Sequence, residues 1–283
     1  MLVDLKYQAL KCQREGTGLG AFNVIHIENT RIFIDAARRA KRPIVLQISE
    51  NAVKYQGSLD PLGTATITAA RECDVPVVVH LDHAENIDLI HAAVDLGFTS
   101  VMYDGSKLLD QQNRETTAQV ADFCHSVGVS IEAELGEVGG KNGVHDPVAR
   151  TNPADAAQFV EDTGVDLLAV AVGSSHAMTS RDAHLDNDLI RAIAEATPVP
   201  LVLHGSSGVS DQGIVEAIRA GMVKINVSTH LNKIFTNTVR EVLSENPNLV
   251  DSRKWFSPAG ERVSAEVERM LRLFASAPVP TTD

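Results

Sequence analysis

Eight short apolar runs, rich in β-branched residues and each followed by a polar turn, constrain this chain more than any other feature. They are Leu19 to Val24, Pro43 to Ile48, Val77 to Leu81, Ser100 to Tyr103, Ser130 to Glu134, Leu167 to Val172, Pro200 to Leu203 and Val223 to Val227. Runs of this length bounded by turn residues are the mark of buried strands. Amphipathic stretches of helical period lie between them: Asn29 to Ala40, Ile87 to Leu96, Asn113 to Ser126, Pro153 to Thr163, Asp188 to Ala196 and Asp211 to Ala220. Asn152-Pro153 places a capping residue before a first-turn proline, and Asp211 opens a run that stops before Gly221. Strand and helix alternating eight times predict a (β/α)8 TIM barrel, not an open doubly wound sheet. No GxGxxG follows the first strand, so a dinucleotide site is not expected.

No linker or low-complexity segment divides the chain, so the 283 residues are expected to form a single domain, 1–283. The net charge of −12 argues against nucleic acid or an anionic membrane as partner, and 4% aromatic residues leave little for base stacking. No run is long enough to span a bilayer and the N-terminus lacks a signal peptide's apolar centre, which predicts a cytoplasmic protein. Cys12, Cys73 and Cys124 are odd in number and widely spaced. Reduced structural thiols are expected of them, not a disulfide framework or a thiolate zinc site.

In such a barrel the residues just past each strand face one common mouth. The segment Val75 to Asn86, VPVVVHLDHAEN, is the most informative: a buried strand surfaces into His80, Asp82 and His83. The other strands deliver Asn23 and His26, Gln47 and Ser49, Asp104, Glu132 and Glu134, Gly173 to His176, His204 to Gly208, and Asn226, Ser228 and Thr229. His83, His176 and His204 follow strands three, six and seven. Three imidazoles at a mouth suit a divalent ion, with zinc the first choice and a coordination position left open for substrate. Asp104 and Glu134 are either additional ligands or groups that orient an imidazole from behind. HGSSG at His204 and NVST at Asn226 place glycines, hydroxyls and a helix start where barrels commonly hold phosphate, with no cationic side chain required.

These segments carry a resemblance that runs nearly end to end. GAFNV at Gly20, QISE at Gln47, HLDH at His80, GFTSVMYDGS at Gly97, EAELG at Glu132, TGVD at Thr163, AVAVGSSH at Ala169, LVLHGSSG at Leu201 and KINVST at Lys224 are similar to those of class II, metal-dependent ketose-bisphosphate aldolases. The resemblance, to the fructose- and tagatose-bisphosphate group, implies one catalytic zinc ion on His83, His176 and His204, with a second or a monovalent cation as a further ion. It implies Asp82 as the acid/base group at the aldol oxygen. Ser49, Gly205, Ser206, Ser207, Asn226, Val227, Ser228 and Thr229 match positions that hold the sugar phosphate; Asn23 and Gly173 join them from their place at the rim. Arg253, in DSRKWF, matches an arginine that reaches the distal phosphate of a neighbouring subunit. A phosphorylated sugar is thus the implied substrate, and a homodimer or homotetramer the implied assembly, with extra C-terminal helices between Leu231 and Leu273 around the NPNLVDSRKWFSP break.

Three positions depart from the family pattern. Asn142 stands where the loop after Gly139-Gly140 usually carries an acid, and an amide cannot move a proton; His145, Asp146 and Glu137 are the nearby substitutes. Ala177 replaces the glycine after the second histidine, and Ser228 stands at a position that is often Asp. The expected reaction is reversible cleavage of a ketose 1,6-bisphosphate to dihydroxyacetone phosphate and an aldehyde. The alternatives are an aldolase for another catabolic ketose phosphate and a catalytically silent metal- and phosphate-binding subunit. Lys224, on the last strand, is the one lysine placed to rival the metal as electrophile; it is read as a charge partner near the mouth.

Overall fold

A computed structural model describes residues 1–135, 150–174 and 180–276. After α1 (Leu5–Arg14) the chain runs β1 (Leu19–Asn23), α2 (Ile27–Ala40), β2 (Ile44–Ser49), α3 (Glu50–Gln56), α4 (Asp60–Arg71), β3 (Val77–Ala84) and α5 (Ile87–Leu96). Next come β4 (Ser100–Tyr103), α6 (Asp110–Ser126), β5 (Ser130–Glu134), α7 (Pro153–Thr163), β6 (Leu167–Ala169) and α8 (Asn187–Ala196). The chain finishes with β7 (Leu201–Leu203), α9 (Asp211–Ala220), β8 (Met222–Val227), α10 (Thr229–Glu245) and α11 (Arg253–Ala275). The eight strands are parallel and close in sequence order, β1 bonding to β2 on one side and β8 on the other. The (β/α)8 barrel and the C-terminal helices are as the alternation of patterns predicts.

Two apolar layers build the core. Phe22, Ile44, Leu46, Leu81, Ile131, Leu203 and Ile225 point outward onto the helices. Inside the lower barrel, Leu19, Ala21, Val45, Val78, Leu167 and Val202 meet Leu5, Ala9 and Cys12 of α1, which closes the bottom. Because side chains alternate along a strand, the next inward residues fall one layer higher. There the interior turns polar: Gln47, His80, Asp82, Glu132, Glu134, Lys224 and Asn226 are all buried. The barrel is apolar below and charged above, and that gradient positions the site.

Local rules set the element ends. Asn152 caps α7 by accepting the Ala154 and Asp155 amides, and Ser210, not Asp211, caps α9 through Gly213. β6 stops at Ala169, earlier than its apolar run. Beyond it the chain pairs with Thr151, whose amide donates to the Ala171 carbonyl at 2.9 Å and whose hydroxyl accepts the Ala171 amide at 2.8 Å. β3 runs longer than expected, through Asp82 and His83, but its register with β4 breaks between Leu81 and Ala84. α11 packs closely on α2 at Gly260, where a β-carbon would come within 2.7 Å of Ile32 Cδ1. α11 already begins at Arg253, inside the expected break, and accommodates Pro258.

Candidate active site at the carboxyl end of the barrel

In a regular strand Asp82 and His83 would face opposite sides of the sheet. His83 instead adopts φ +49°, one of two non-glycine residues in the left-handed region among those described. This bulge brings both side chains to the same mouth. The His83 ring is then held by Asp104: Nδ1 donates to Oδ2 at 2.7 Å, while Asp104 Oδ1 accepts the Ser106 hydroxyl at 2.6 Å and its amide at 3.2 Å. Nδ1 is thereby committed, and Nε2 is the nitrogen presented to an ion. Burial works against an ionised Asp104, but the hydrogen bond and charge of His83 outweigh it and hold the carboxyl well below the usual carboxylate range.

His204 enters from the end of β7, its ring centroid 4.6 Å from that of His83. Its Nδ1 lies 3.1 Å from Glu134 and its Nε2 3.2 Å from Glu132. Burial disfavours a charged ring, yet the two carboxylates prevail and push His204 up to about 10. Asp82, His83 and His204 each offer a ligand atom with all three atoms within 4.8 Å of one another, and His83, Asp104 and Glu134 do the same. Imidazoles and carboxylates crowded into one buried mouth suit a borderline divalent cation, which would offset the excess negative charge. His176 lies outside the described residues, as do Asn142, Ala177, His145, Asp146 and Glu137.

Asp82 is the centre of an amide cradle. Asn23 Nδ2 and Gln47 Nε2 donate to its Oδ2 at 3.3 and 3.4 Å, and Asn226 Nδ2 donates to Oδ1 at 3.4 Å. Burial alone would raise its pKa, but the nearby charges of His83, Lys224, His80 and His204 leave it lowered. The carboxylate is therefore anionic and oriented. The Gln47 and Asn226 side-chain oxygens are buried with no partner among the described residues, as hydroxyl-accepting groups would be. Above the cradle opens a cavity of about 390 Å³, lined by Ser49, Asp82, His83, Gly205, Ser207, Ser228 and Thr229 among others.

Gly205, at φ +66°, turns the chain into a short 3₁₀ turn, Ser206–Gly208. Ser206 donates its hydroxyl to the Asn226 carbonyl, and Ser207 Oγ accepts the His230 amide at 3.1 Å. The turn is thus stapled to the end of β8 and the start of α10. Behind it a smaller cavity of about 200 Å³ is lined by Arg181, Ser207, Thr229, His230 and Lys233. Arg181 is fixed by the Val209 carbonyl at 2.8 Å and by Asp211 at 2.6 Å. Arg181, His230 and Lys233 are not among the residues the sequence motifs point to, which require no cation here. Their signal was position: one lies five residues past His176, the others within four residues after Thr229.

The remaining expected residues divide. Val227 is wholly buried, so only its backbone can serve the site. Gly173, at φ +115°, lies against the His184 carbonyl and the Arg150 guanidinium and lines neither cavity. Arg253 is 88% exposed, paired with Asp251, and lines a separate groove between α2 and α11. Lys224 is fully buried beneath the mouth and does not line the cavity. Its 2.8 Å ion pair with Glu132 bears out the charge-partner reading, one layer below the mouth.

Fold and site together define a TIM-barrel enzyme whose chemistry sits at the carboxyl ends of its strands. The model of the class-II fructose-bisphosphate aldolase family matches residues 3–278. A fructose-bisphosphate aldolase of Thermus caldophilus is 38% identical, covering 94% of this chain and 95% of its own. One from Geobacillus stearothermophilus is 36% identical, covering 98% of both. The crystal structure of the YdjI aldolase from Escherichia coli K12 superposes with a TM-score of 0.87 at 31% identity, covering 98% of each chain. The chain belongs to the class II fructose-bisphosphate aldolase family, and it is an aldolase of the metal-dependent kind.

Proposed function

We propose that this barrel, as one domain over residues 1–283, reversibly cleaves a ketose 1,6-bisphosphate of the fructose or tagatose type, giving dihydroxyacetone phosphate and an aldehyde such as glyceraldehyde 3-phosphate. The amide cradle around Asp82, beside the His83 and His204 imidazoles, carries this reading. Zinc is the resident ion, held by His83 and His204 with His176, while Asp104 steadies His83 from behind and Glu134, 3.1 Å from His204 Nδ1, is an additional ligand. When bound, such an ion supplies Lewis acidity for the negative charge that develops as a carbon–carbon bond beside a ketone breaks.

The protein's own groups do the rest. Asp82 accepts the C4 hydroxyl proton as the C3–C4 electron pair passes toward the ketone, and returns it in condensation. The three amides keep its carboxylate aimed throughout. Ser207, Thr229 and the start of α10 receive the C1 phosphate, with Arg181, His230 and Lys233 supplying positive potential behind them. Asn23, Ser49, Asn226 and Ser228 line the path of the sugar hydroxyls. The residue that moves the C3 proton is assigned to the segment containing Glu137, His145 and Asp146.

Three further parts belong to this proposal. Arg253, turned away from its own mouth, supports a homodimer or homotetramer in which it serves a neighbour. Free, buried Cys12, Cys73 and Cys124 support a cytoplasmic location. No described helix is long and apolar enough to cross a membrane. The experiment is cleavage of a panel of ketose mono- and bisphosphates, with zinc and after chelation, detecting triose phosphate. Metal-dependent release from a bisphosphate is expected; zinc binding with no release from any sugar would overturn the reading in favour of a silent subunit.

A further inference from the structure

One layer below the mouth, Lys224 of β8 has no exposed surface. Its Nζ lies 2.8 Å from Glu132 Oε2 on β5, and Glu132 is equally buried. The other oxygen of Glu132, Oε1, is 3.2 Å from His204 Nε2. His80 closes the group, its Nδ1 bonded to the Ser100 hydroxyl at 2.8 Å and its Nε2 3.7 Å from Glu132 Oε2. Neither Lys224 nor Glu132 lines the cavity.

A buried ion pair is weak evidence for net stability, since desolvation offsets most of its attraction. Its geometry gives it another consequence. A carboxylate held on one side by the charge of a lysine, as an ion pair and not a hydrogen bond, has little freedom to swing, so its second oxygen fixes the imidazole it meets. Lys224 comes from β8, Glu132 from β5 and His204 from the end of β7, so the contact sets a ring angle across the barrel that no single strand could set.

We propose that Lys224 is a positioning residue for the metal centre: by clamping Glu132 it holds His204 through Nε2 and turns Nδ1 toward the ion. This rests on the metal-dependent reading of the same mouth. Glu134, 3.1 Å from Nδ1, then marks the side of the ring on which the ion lies.

The test uses the full chain and its Lys224→Met variant, measuring zinc affinity by chelator competition and the visible spectrum of the cobalt-substituted protein. Thermal midpoints of the metal-free proteins are recorded beside them. Failure of the unaltered chain to bind zinc would overturn the metal reading itself. With that binding established, Lys224→Met is expected to weaken zinc roughly 10- to 100-fold, the usual cost of losing an outer partner of a ligand, and to change the cobalt spectrum. Zinc affinity within twofold of the unaltered chain, with an unchanged spectrum, would overturn the proposal even if the thermal midpoint fell. Should Lys224→Met fail to fold, Lys224→Met combined with Glu132→Gln leaves no lone buried charge and is measured instead. The same loss supports the proposal and retained affinity rejects it.

Discussion

His83 and Asp104 are joined at 2.7 Å across the β3–β4 boundary, at the point where the β3 backbone leaves its ladder. The bond and the bulge are complementary. The left-handed backbone swings the imidazole into the mouth, and the carboxylate decides which nitrogen faces inward.

Asp104→Asn keeps the shape but can present an amide N–H where the ring also carries a proton. Zinc affinity is expected to fall roughly 10- to 100-fold, with global stability little changed. Chelator competition and thermal unfolding on the same preparation would show it, and unchanged affinity would sink this role for Asp104.

Asp82→Asn removes the proton acceptor while leaving a side chain the amide cradle can hold. Cleavage is expected to slow by about 10²- to 10⁴-fold, the usual scale for loss of a general base, with KM for the ketose phosphate changing far less. Steady-state kinetics on the preferred sugar decide it; a proportionate rise in KM with kcat intact would assign Asp82 to binding instead.

Arg181→Met should act on binding. The side chain lies beside Ser207 and Thr229 and is braced by Asp211, so its loss lowers the positive potential at the phosphate end. KM is expected to rise roughly tenfold, about 1.4 kcal/mol, and inhibition by inorganic phosphate to weaken in step. Unchanged phosphate inhibition would place the C1 phosphate elsewhere.

Acid stability has a local source in Glu266. Burial disfavours its charge, but hydrogen bonds from Arg269 and His230 win, holding the carboxyl down to about 2 from an ordinary 4.5. A depressed carboxylate stabilises the fold above its unfolded pKa and loses that contribution as pH falls from about 4.5 through about 2. The amount is roughly 3 kcal/mol at most. Urea unfolding between pH 7 and pH 3 should show Glu266→Gln less stable at neutral pH and less sensitive to acid. Parallel pH profiles for the two proteins would contradict the assignment.

The strands were legible because a parallel sheet covered on both faces leaves uninterrupted runs such as VPVVVHL and PIVL. Their ends were less so. That Ala171 would pair with Thr151 depends on a contact twenty residues away, and that His83 would leave the ladder depends on Asp104 waiting across β4. The site was readable as an inventory of polar strand ends, not as a set of layers. Glu132 looks like a rim residue when read along the chain, yet the barrel places it a layer lower, wholly buried beside Lys224. The cations proposed for the phosphate end were hidden for a related reason. Arg181 gains its meaning only when α9 and the turn after β7 are brought beside it.

The α1 plug bears on how this enzyme could be redesigned. Leu5, Ala9 and Cys12 seal the lower barrel against Val45, Val78 and Leu167, so a closed apolar layer lies at the end away from the chemistry. Selection for a new sugar can then work through the upper rim, at Ser228, with small losses of folding free energy. Most of the robustness that absorbs such changes resides in side chains no substrate will ever meet.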